Sequence, residues 1–217
     1  MDLSFHQRLR IARIVAMLPL RYFSISILLL LELFPWSKYD KGEQIVIEKE
    51  SLLKFVGAEA NPNLARTTRP IDKHFSSFYF EAKIVNSGEN CMIAIGLTKK
   101  SPNTRSGHLP GWETNPKLGI GYHGDDGGIY HESIHAVERG EQFSTGDVVG
   151  CYMRRTRVND EEITLTQFSK NGKKILSPRI ISNADWFPTV GIGSPGAIVD
   201  TNFGIDQFIF NIKGMYL

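Results

Sequence analysis

The densest cluster of side chains that could do chemistry lies at residues 122–132, in the sequence YHGDDGGIYHE. His123, Asp125, Asp126 and His131 are residue types that bind metal ions. Their spacing matches neither a zinc pattern nor a calcium loop, which needs acidic residues at alternate positions. Two carboxylates before two glycines instead predict a tight turn, in which Asp126 accepts backbone N–H groups and the glycines adopt positive φ. We therefore expect no metal site here.

A nucleophilic catalytic site is not indicated either. Such a site needs a serine, threonine or cysteine beside a base that a third group orients. No G-x-S-x-G motif occurs, and the segment 193–196 (GSPG) has the wrong spacing and a proline after its serine. The segment 119–124 (GIGYHG) begins and ends like a nucleotide fingerprint but follows no strand–helix unit. We predict a protein that is not an enzyme and needs no cofactor.

Composition and charge are those of an ordinary globular domain. Charged residues make up 22% and hydrophobic residues 41% of the 217, and the formal net charge is +2. Because the charge is small and no Lys/Arg run carries interleaved aromatic residues, nucleic acid is not expected as a partner. The two cysteines, Cys91 and Cys151, are too far apart for a CxxC motif and are expected to be reduced, buried thiols.

Residues 1–35 form a basic and hydrophobic leader. Four arginines precede residue 22 against one acid, and the uncharged ten-residue run YFSISILLLL follows. The run is too short to span a bilayer, which takes about 20 residues. It fits the apolar part of a signal peptide, although no cleavage-site pattern follows it. A helix packed on the domain, a signal or membrane anchor, and an unstructured start remain as interpretations, and membrane association is expected only through this leader.

From Ser37 onward the hydrophobic pattern is typical of β-strands. Turn residues separate these strands, and Asn171-Gly172 predicts a type I′ hairpin because both central positions tolerate positive φ. Strands do not alternate with helical segments, so we predict an all-β sandwich of two antiparallel sheets, preceded by a short helical or hydrophobic segment. Apolar residues alternate with polar ones in the runs 44–49, 78–84, 93–97, 149–153, 163–168, 190–192, 199–203 and 208–212.

Eight segments, in this order, resemble the SPRY domain of the Ran-binding protein M family. The resemblance extends from about residue 36 to residue 213, and it implies one SPRY domain at 36–213 followed by a C-terminal tail at 214–217. The segments are FYFEAKI (78–84), IGL (95–97), LPGW (109–112), YHGDDG (122–127), FSTGDVVGC (143–151), FSKNG (168–172), FPTVG (187–191) and NFG (202–204).

The resemblance implies a module that binds an extended segment of a partner protein through loops at one end of the sandwich. An arginine fork holds carboxylate or amide oxygens, an exposed tryptophan supplies contact area, and glycine and proline leave room for a peptide backbone. Two of these residues could have a structural role instead. Arg66 could form a structural ion pair, and Trp112 could fill the core beneath its loop. Trp186 is expected to be structural. Carried over by motif position, the implied contacts are Arg66, Thr98, Pro110, Gly111, Trp112, Ser194, Pro195 and Gly196.

The cellular role has three hypotheses. The first is a cytoplasmic or nuclear adaptor. The second links the chain to a CTLH-type ubiquitin ligase, since subunits of that ligase carry the LPGW and YHGDDG pair. However, the chain stops at Leu217 without the LisH and CTLH helices that usually follow, and its segment 154–162 (RRTRVNDEE) is longer and more charged than the family's usual connection. The third is a secreted or membrane-anchored protein with a single SPRY domain, delivered by residues 1–35.

Overall fold

The computed structural model describes residues 34–100, 107–112 and 118–211. No helix occurs in these ranges, and so none that is long and apolar enough to cross a membrane. The predicted N-terminal helical or hydrophobic segment lies outside the described residues, as does the tail at 214–217. The strands are β1 Trp36–Lys41, β2 Ile45–Glu48, β3 Leu52–Phe55, β4 Asn63–Thr67, β5 Ser77–Asn86, β6 Ile93–Thr98, β7 Gly119–His123, β8 Gly128–His131, β9 Glu138–Arg139, β10 Val148–Val158, β11 Glu161–Lys170, β12 Lys173–Ile181, β13 Phe187–Ile192 and β14 Ile198–Asn202.

These strands form two seven-stranded sheets. Sheet A has the order β1-β4-β13-β6-β7-β8-β9, and sheet B has the order β12-β11-β10-β5-β14-β3-β2. Neighbouring strands are antiparallel in both sheets. The all-β sandwich predicted from the alternating runs is therefore confirmed.

The hydrophobic core lies between the two sheets, because alternate residues of each strand point inward. Sheet A contributes residues such as Ile95 and Val190, and sheet B contributes residues such as Phe80 and Val149. Trp186, just before β13, is completely buried, and its Nε1 donates a hydrogen bond to the Ser182 carbonyl at 2.8 Å. The expectation that Trp186 is structural is confirmed.

Aromatic packing extends the domain to the first described residue. The ring of Phe34 lies 4.7 Å from that of Phe78 and 5.8 Å from that of Phe203, between ring centroids. Phe34 is buried by these contacts. Residues just before Trp36 therefore pack with the domain.

The Asn171-Gly172 turn joins β11 to β12 as the sequence predicted. Lys170 pairs with Lys173, and the two central residues have φ of 49° and 76°. The β10–β11 hairpin closes in the same way, since Asn159 and Asp160 have φ of 49° and 65°. Both turns can adopt positive φ because glycine, asparagine and aspartate accept left-handed backbone conformations more readily than other residues do.

The strand predicted for the run 208–212 is wrong over the residues that the structure describes. The backbone N–H groups of Ile209 and Phe210 donate to the carboxylate of Glu81, at 3.0 and 2.9 Å. Phe208 and Phe210 pack on Tyr79 on the outer face of sheet B, with ring centroids 4.9 and 5.7 Å apart. The amides that a β-ladder would use are therefore bound by a side chain instead.

Candidate functional site

Residues 107–112 lie across the outer face of sheet A, the face turned away from the core. Glycines in the strands beneath make room for them. A Cβ atom at Gly191 of β13 would lie 2.6 Å from Pro110 Cδ and 2.8 Å from Leu109 Cδ2. A Cβ atom at Gly121 of β7 would lie 2.8 Å from Pro110 Cβ. Any larger side chain at either glycine would displace this loop, because real Cβ atoms do not approach so closely.

His123 fixes this loop to sheet A. Its Nε2 lies 2.8 Å from the carbonyl oxygen of Pro110, and its ring stacks on Tyr130 with centroids 4.2 Å apart. Burial lowers the pKa of His123 to about 4, more than the Pro110 carbonyl raises it. The imidazole is therefore neutral at pH 7, and its Nε2–H donates to Pro110.

Asp126 holds the hydroxyl end of the Tyr130 side chain. Its Oδ1 accepts the backbone N–H of Gly128 at 2.8 Å, and its Oδ2 accepts the Tyr130 hydroxyl at 2.6 Å and pairs with Arg139. Partial burial raises the pKa of Asp126, but the hydrogen bonds and Arg139 outweigh it and hold that pKa below its ordinary value. Gly127 has φ of 68°. The turn predicted from the two carboxylates and two glycines is confirmed, with positive φ at Gly127 but not at Gly128, which begins β8.

Trp112 is the large aromatic residue that this supported loop presents at the surface. Its N–H donates to the Leu109 carbonyl at 3.0 Å, and Gly111 before it has φ of 83°. The side chain is 37% exposed, so the alternative in which Trp112 plugs the core does not hold. The N–H of Ser133 donates to the Gly111 carbonyl at 3.1 Å, which brings the backbone of the 133–134 segment to this loop, and Ile134 is 51% exposed. We call Trp112 and Ile134 the Trp112 surface.

Arg66 and Thr98 meet on the same outer face but are buried. Arg66 Nε donates to Thr98 Oγ1 at 2.7 Å, and one of its terminal nitrogens lies 3.0 Å from Asp40 Oδ1. Thr98 Oγ1 lies 2.8 Å from Thr189 Oγ1. Neither Arg66 nor Thr98 exposes any surface. The structural ion pair left open by the sequence is observed, whereas contact of these two side chains with a partner stays a prediction.

The segment Ser194–Gly196 lies beyond the opposite end of β13. Thr189 pairs with Arg66 near the beginning of this strand, and Ile192 pairs with Asn63 at its end. Ser194 is five residues past Thr189, which is about 16 Å along an extended chain. The structure therefore does not bring Ser194, Pro195 and Gly196 together with Arg66 and Thr98.

The Ser194–Gly196 segment packs against the turn between β5 and β6. Ser194 Oγ accepts the N–H of Asn90 at 3.1 Å, and the Pro195 carbonyl accepts that of Glu89 at 3.2 Å. Ser194 is buried, while Gly196 is exposed and has φ of 78°. Of these three residues Gly196 is the one that a partner's backbone can approach most easily.

The described thiols are poor nucleophiles. Burial raises the pKa of Cys91 to about 11 and that of Cys151 well above its usual range. Both cysteines are free; Cys151 is buried as expected, and Cys91 is partly exposed. Within the described part of the chain, no three His, Cys, Asp or Glu side chains are arranged to hold a metal ion.

Sequence reasoning missed the support beneath Trp112. It did not assign His123 to the Pro110 carbonyl, and it did not place Ser133 against the Gly111 carbonyl. One signal was present: LPGW and YHGDDG together distinguish the subgroup that the chain resembles, and the structure shows these two segments in contact through His123 and Pro110.

Comparison with known proteins agrees with this architecture. A family model described as the SPRY domain matches residues 77–206. A solved human SPRY domain superposes with a TM-score of 0.63 at 27% identity, covering 76% of this chain and 98% of that one. The SPRY domain of human HERC1 superposes with a TM-score of 0.56 at 17% identity, covering 77% of this chain and 98% of that one, which shows likeness of fold alone.

Curated relatives carry the Ran-binding protein names. Ran-binding protein 9 of Mus musculus is 35% identical over 182 residues, which cover 82% of this chain and 26% of that protein. The Ran-binding protein M homolog of Arabidopsis thaliana is 34% identical over 196 residues, covering 82% of this chain and 40% of that protein. The chain thus spans about a quarter of the length of the first of these relatives, and the resemblance inferred from the sequence segments is confirmed.

Proposed function

This chain belongs to the SPRY domain family of protein–protein interaction modules, and we propose that it binds a short segment of a partner protein at the Trp112 surface. The main support for the proposal is that Trp112 is exposed on a loop whose backbone is held in place by hydrogen bonds. Tryptophan is enriched among the residues that dominate binding energy at interfaces. A loop already fixed before binding loses little conformational entropy when it binds.

The arrangement of neighbouring residues supports this choice. Gly111 sets the backbone before Trp112 with its φ of 83°, and the exposed Ile134 follows Ser133, whose N–H bonds to the Gly111 carbonyl. Arg66 and Thr98 act indirectly in this proposal, because they join β4, β6 and β13 beneath the loop. Gly196 is a second, separate point of approach at the other end of β13.

The partner class in this proposal is a protein segment, and the module acts as a non-enzymatic adaptor in the cytoplasm or nucleus. The resemblance to Ran-binding protein M supports a link to a ubiquitin ligase, in which the module would recognise a subunit or a substrate. Because the chain spans a minor part of its relatives, such a role concerns the whole proteins and comes to this chain as a proposal only.

Selection from a random peptide display library tests the proposal. The wild-type chain should enrich a peptide sequence, and Trp112→Ala should lower affinity for it by about tenfold or more, as expected of a central aromatic contact. Tyr39→Ala is the matched control, since Tyr39 is an exposed aromatic residue on β1. Enriched peptides that bind Trp112→Ala and the wild type equally well would contradict the proposal.

A further inference from the structure

The edge strand β12 bulges away from β11. Thr166 pairs with Arg179 and Phe168 pairs with Ile175, so one residue of β11 lies opposite three residues of β12, 176–178. The first of these three has φ of 57°. Because β12 is the outermost strand of sheet B in the described part of the chain, the bulge lies at an open edge of the sheet.

Ser177 lies in the middle of this bulge, and Pro178 follows it directly. Ser177 is exposed, and its backbone N–H and its hydroxyl both donate to the carboxylate of Glu138, at 3.2 and 3.3 Å. A serine followed by proline is the acceptor pattern of proline-directed protein kinases. Ser177 therefore meets two requirements of a kinase substrate, the dipeptide and access from solvent.

The same dipeptide occurs at two other places in the sequence, 101–102 and 194–195. Ser194 is completely buried, and its Oγ accepts the N–H of Asn90 at 3.1 Å. Ser101 lies outside the residues that the structure describes. Within the described ranges, Ser177 is thus the one serine before a proline whose side chain is exposed.

Glu138 joins the two sheets at this edge of the sandwich. It belongs to β9, the outermost strand of sheet A, and it also pairs with Arg179 of β12. The bulge packs there as well, because a Cβ atom at Gly140 would lie 2.7 Å from Leu176 Cδ2. The contacts of Glu138 with Ser177 and Arg179 therefore hold β9 against β12.

We propose that Ser177 is a phosphorylation site and that its phosphate separates β9 from β12. A proline-directed kinase transfers the γ-phosphoryl group of ATP to Ser177 Oγ. The Oγ–P bond forms, the bond from that phosphorus to the bridging oxygen breaks, ADP leaves, and the hydroxyl proton passes to a base of the kinase.

The product carries a charge of about −1.5 to −2 at the position from which the hydroxyl donated to Glu138. The phosphate repels that carboxylate and competes with it for Arg179, so Glu138 loses both contacts with β12. The inference goes beyond the proposed function, because it assigns a covalent modification to a residue that does not belong to the Trp112 surface.

Phosphorylation of the full chain in vitro tests the site. The chain carries Ser101→Ala, so that two serine–proline dipeptides remain as acceptors, and it is incubated with a purified mitogen-activated protein kinase and Mg-ATP. Mass spectrometry measures the rate at each serine, relative to synthetic peptides of residues 173–181 and 190–198. Ser177 should react at least about tenfold faster than Ser194 on this relative scale, because a buried serine becomes accessible only through local unfolding.

Three results would overturn the site. They are a 173–181 peptide that the kinase leaves unmodified, modification of that peptide but not of Ser177 in the folded chain, and equal relative rates at Ser177 and Ser194. Trp112→Ala should be phosphorylated like the wild type, so failure of this inference is distinguishable from failure of the proposed function.

Hydrogen exchange of the phosphorylated chain tests the separation of the two strands. The N–H of Gly140, which follows β9, donates to the Gly127 carbonyl at 2.9 Å. Phosphorylation should accelerate exchange of this amide by about three- to tenfold, because the hydrogen bonds and the ion pair that hold β9 are lost. The N–H of Asn171 donates to the Val148 carbonyl at 2.8 Å, in the turn before β12, and should exchange at an unchanged rate.

Two nearby acids give a matched pair of variants. In Glu138→Gln the neutral amide can donate to the phosphate, so phosphorylation should accelerate Gly140 exchange by less than about twofold. Glu141 pairs with Lys170 instead, so Glu141→Gln should respond like the wild type. Equal acceleration in Glu138→Gln and in the wild type, or none in the wild type, would overturn the proposed separation of β9 from β12.

Discussion

His123 Nε2 and the Pro110 carbonyl oxygen lie 2.8 Å apart, and this contact joins β7 to the loop that carries Trp112. The contact explains why the two sequence segments belong together. His123 belongs to YHGDDG and Pro110 to LPGW, so this contact holds the two segments against each other. The proposed contact surface is therefore supported by a buried residue that would not itself touch a partner.

Replacing His123 should destabilise the protein. His123→Phe keeps a ring that can stack on Tyr130 but leaves the Pro110 carbonyl without its donor. We expect the free energy of unfolding to fall by about 1–3 kcal/mol, as for other buried polar groups left without a partner. Urea denaturation measures this change. His135→Phe, at an exposed position, should be nearly neutral, and an equal loss in both variants would contradict the assignment.

The same histidine should make stability depend on pH. The pKa of His123 is about 4 when folded and near 6.5 when unfolded, so the unfolded chain binds the proton more tightly. The neutral imidazole therefore adds up to about 3 kcal/mol to the free energy of unfolding. This contribution is fully present above pH 6.5 and is lost as the pH falls from about 6.5 toward 4.

Unfolding measured at several pH values checks this expectation. The wild type should lose stability over that range, and His123→Phe should lose less of it. The charged groups beside the ring, Asp126 and Arg139, remain in both proteins, so the difference reports on the imidazole. Identical pH profiles would show that His123 does not titrate in this way.

Arg66 should contribute stability through Asp40. Arg66→Met leaves a largely buried carboxylate without its cation, and we expect a loss of about 3 kcal/mol. Asp40→Asn in the same background should recover part of that loss. In a double-mutant cycle measured by urea denaturation, the two effects should therefore fall short of additivity by about 1 kcal/mol or more. Additive effects would mean that the two side chains do not interact.

The carboxylate of Glu81 should protect two amides of the C-terminal segment. In Glu81→Ala, hydrogen exchange of the Ile209 and Phe210 amides should accelerate by about tenfold or more, because each loses a charge-assisted acceptor. The amide of Gly204 bonds to Asn202 Oδ1 at 2.8 Å and serves as an internal control. Unchanged exchange at Ile209 and Phe210 would contradict the contact.

The sequence predicted strands where one face is apolar and the other polar. β5 and β10 have long alternating runs, and the Asn171-Gly172 turn is determined by local backbone preference. β4 and β7 were not among the predicted strands; both are buried along their whole length, and the outer face of β7 lies beneath the loop at 107–112. A loop covers a sheet through contacts between residues that are far apart in the sequence, so the contacts produce no periodic pattern of hydrophobic residues.

The candidate site was also predicted only in part, because its contacts join residues that are far apart in the sequence. The family resemblance implied an exposed tryptophan at position 112, and Trp112 is exposed, whereas its contact with a partner stays a prediction. Whether Arg66 is exposed depends on Asp40, Thr98 and Thr189, which are brought together from β1, β6 and β13. The spacing of residues along one strand does not predict which side chains of other strands will surround Arg66.

The three tryptophans allow a direct test of the central claim. Trp36 and Trp186 are buried in the core, and Trp112 is exposed on the proposed contact surface. The measurement is the ¹⁹F spectrum of the chain labelled with 5-fluorotryptophan, recorded while a peptide selected on the wild type is added, with Trp112→Phe identifying its resonance. We predict that the Trp112 resonance shifts in proportion to occupancy while those of Trp36 and Trp186 change little. A peptide that binds while the Trp112 resonance stays in place would contradict the claim.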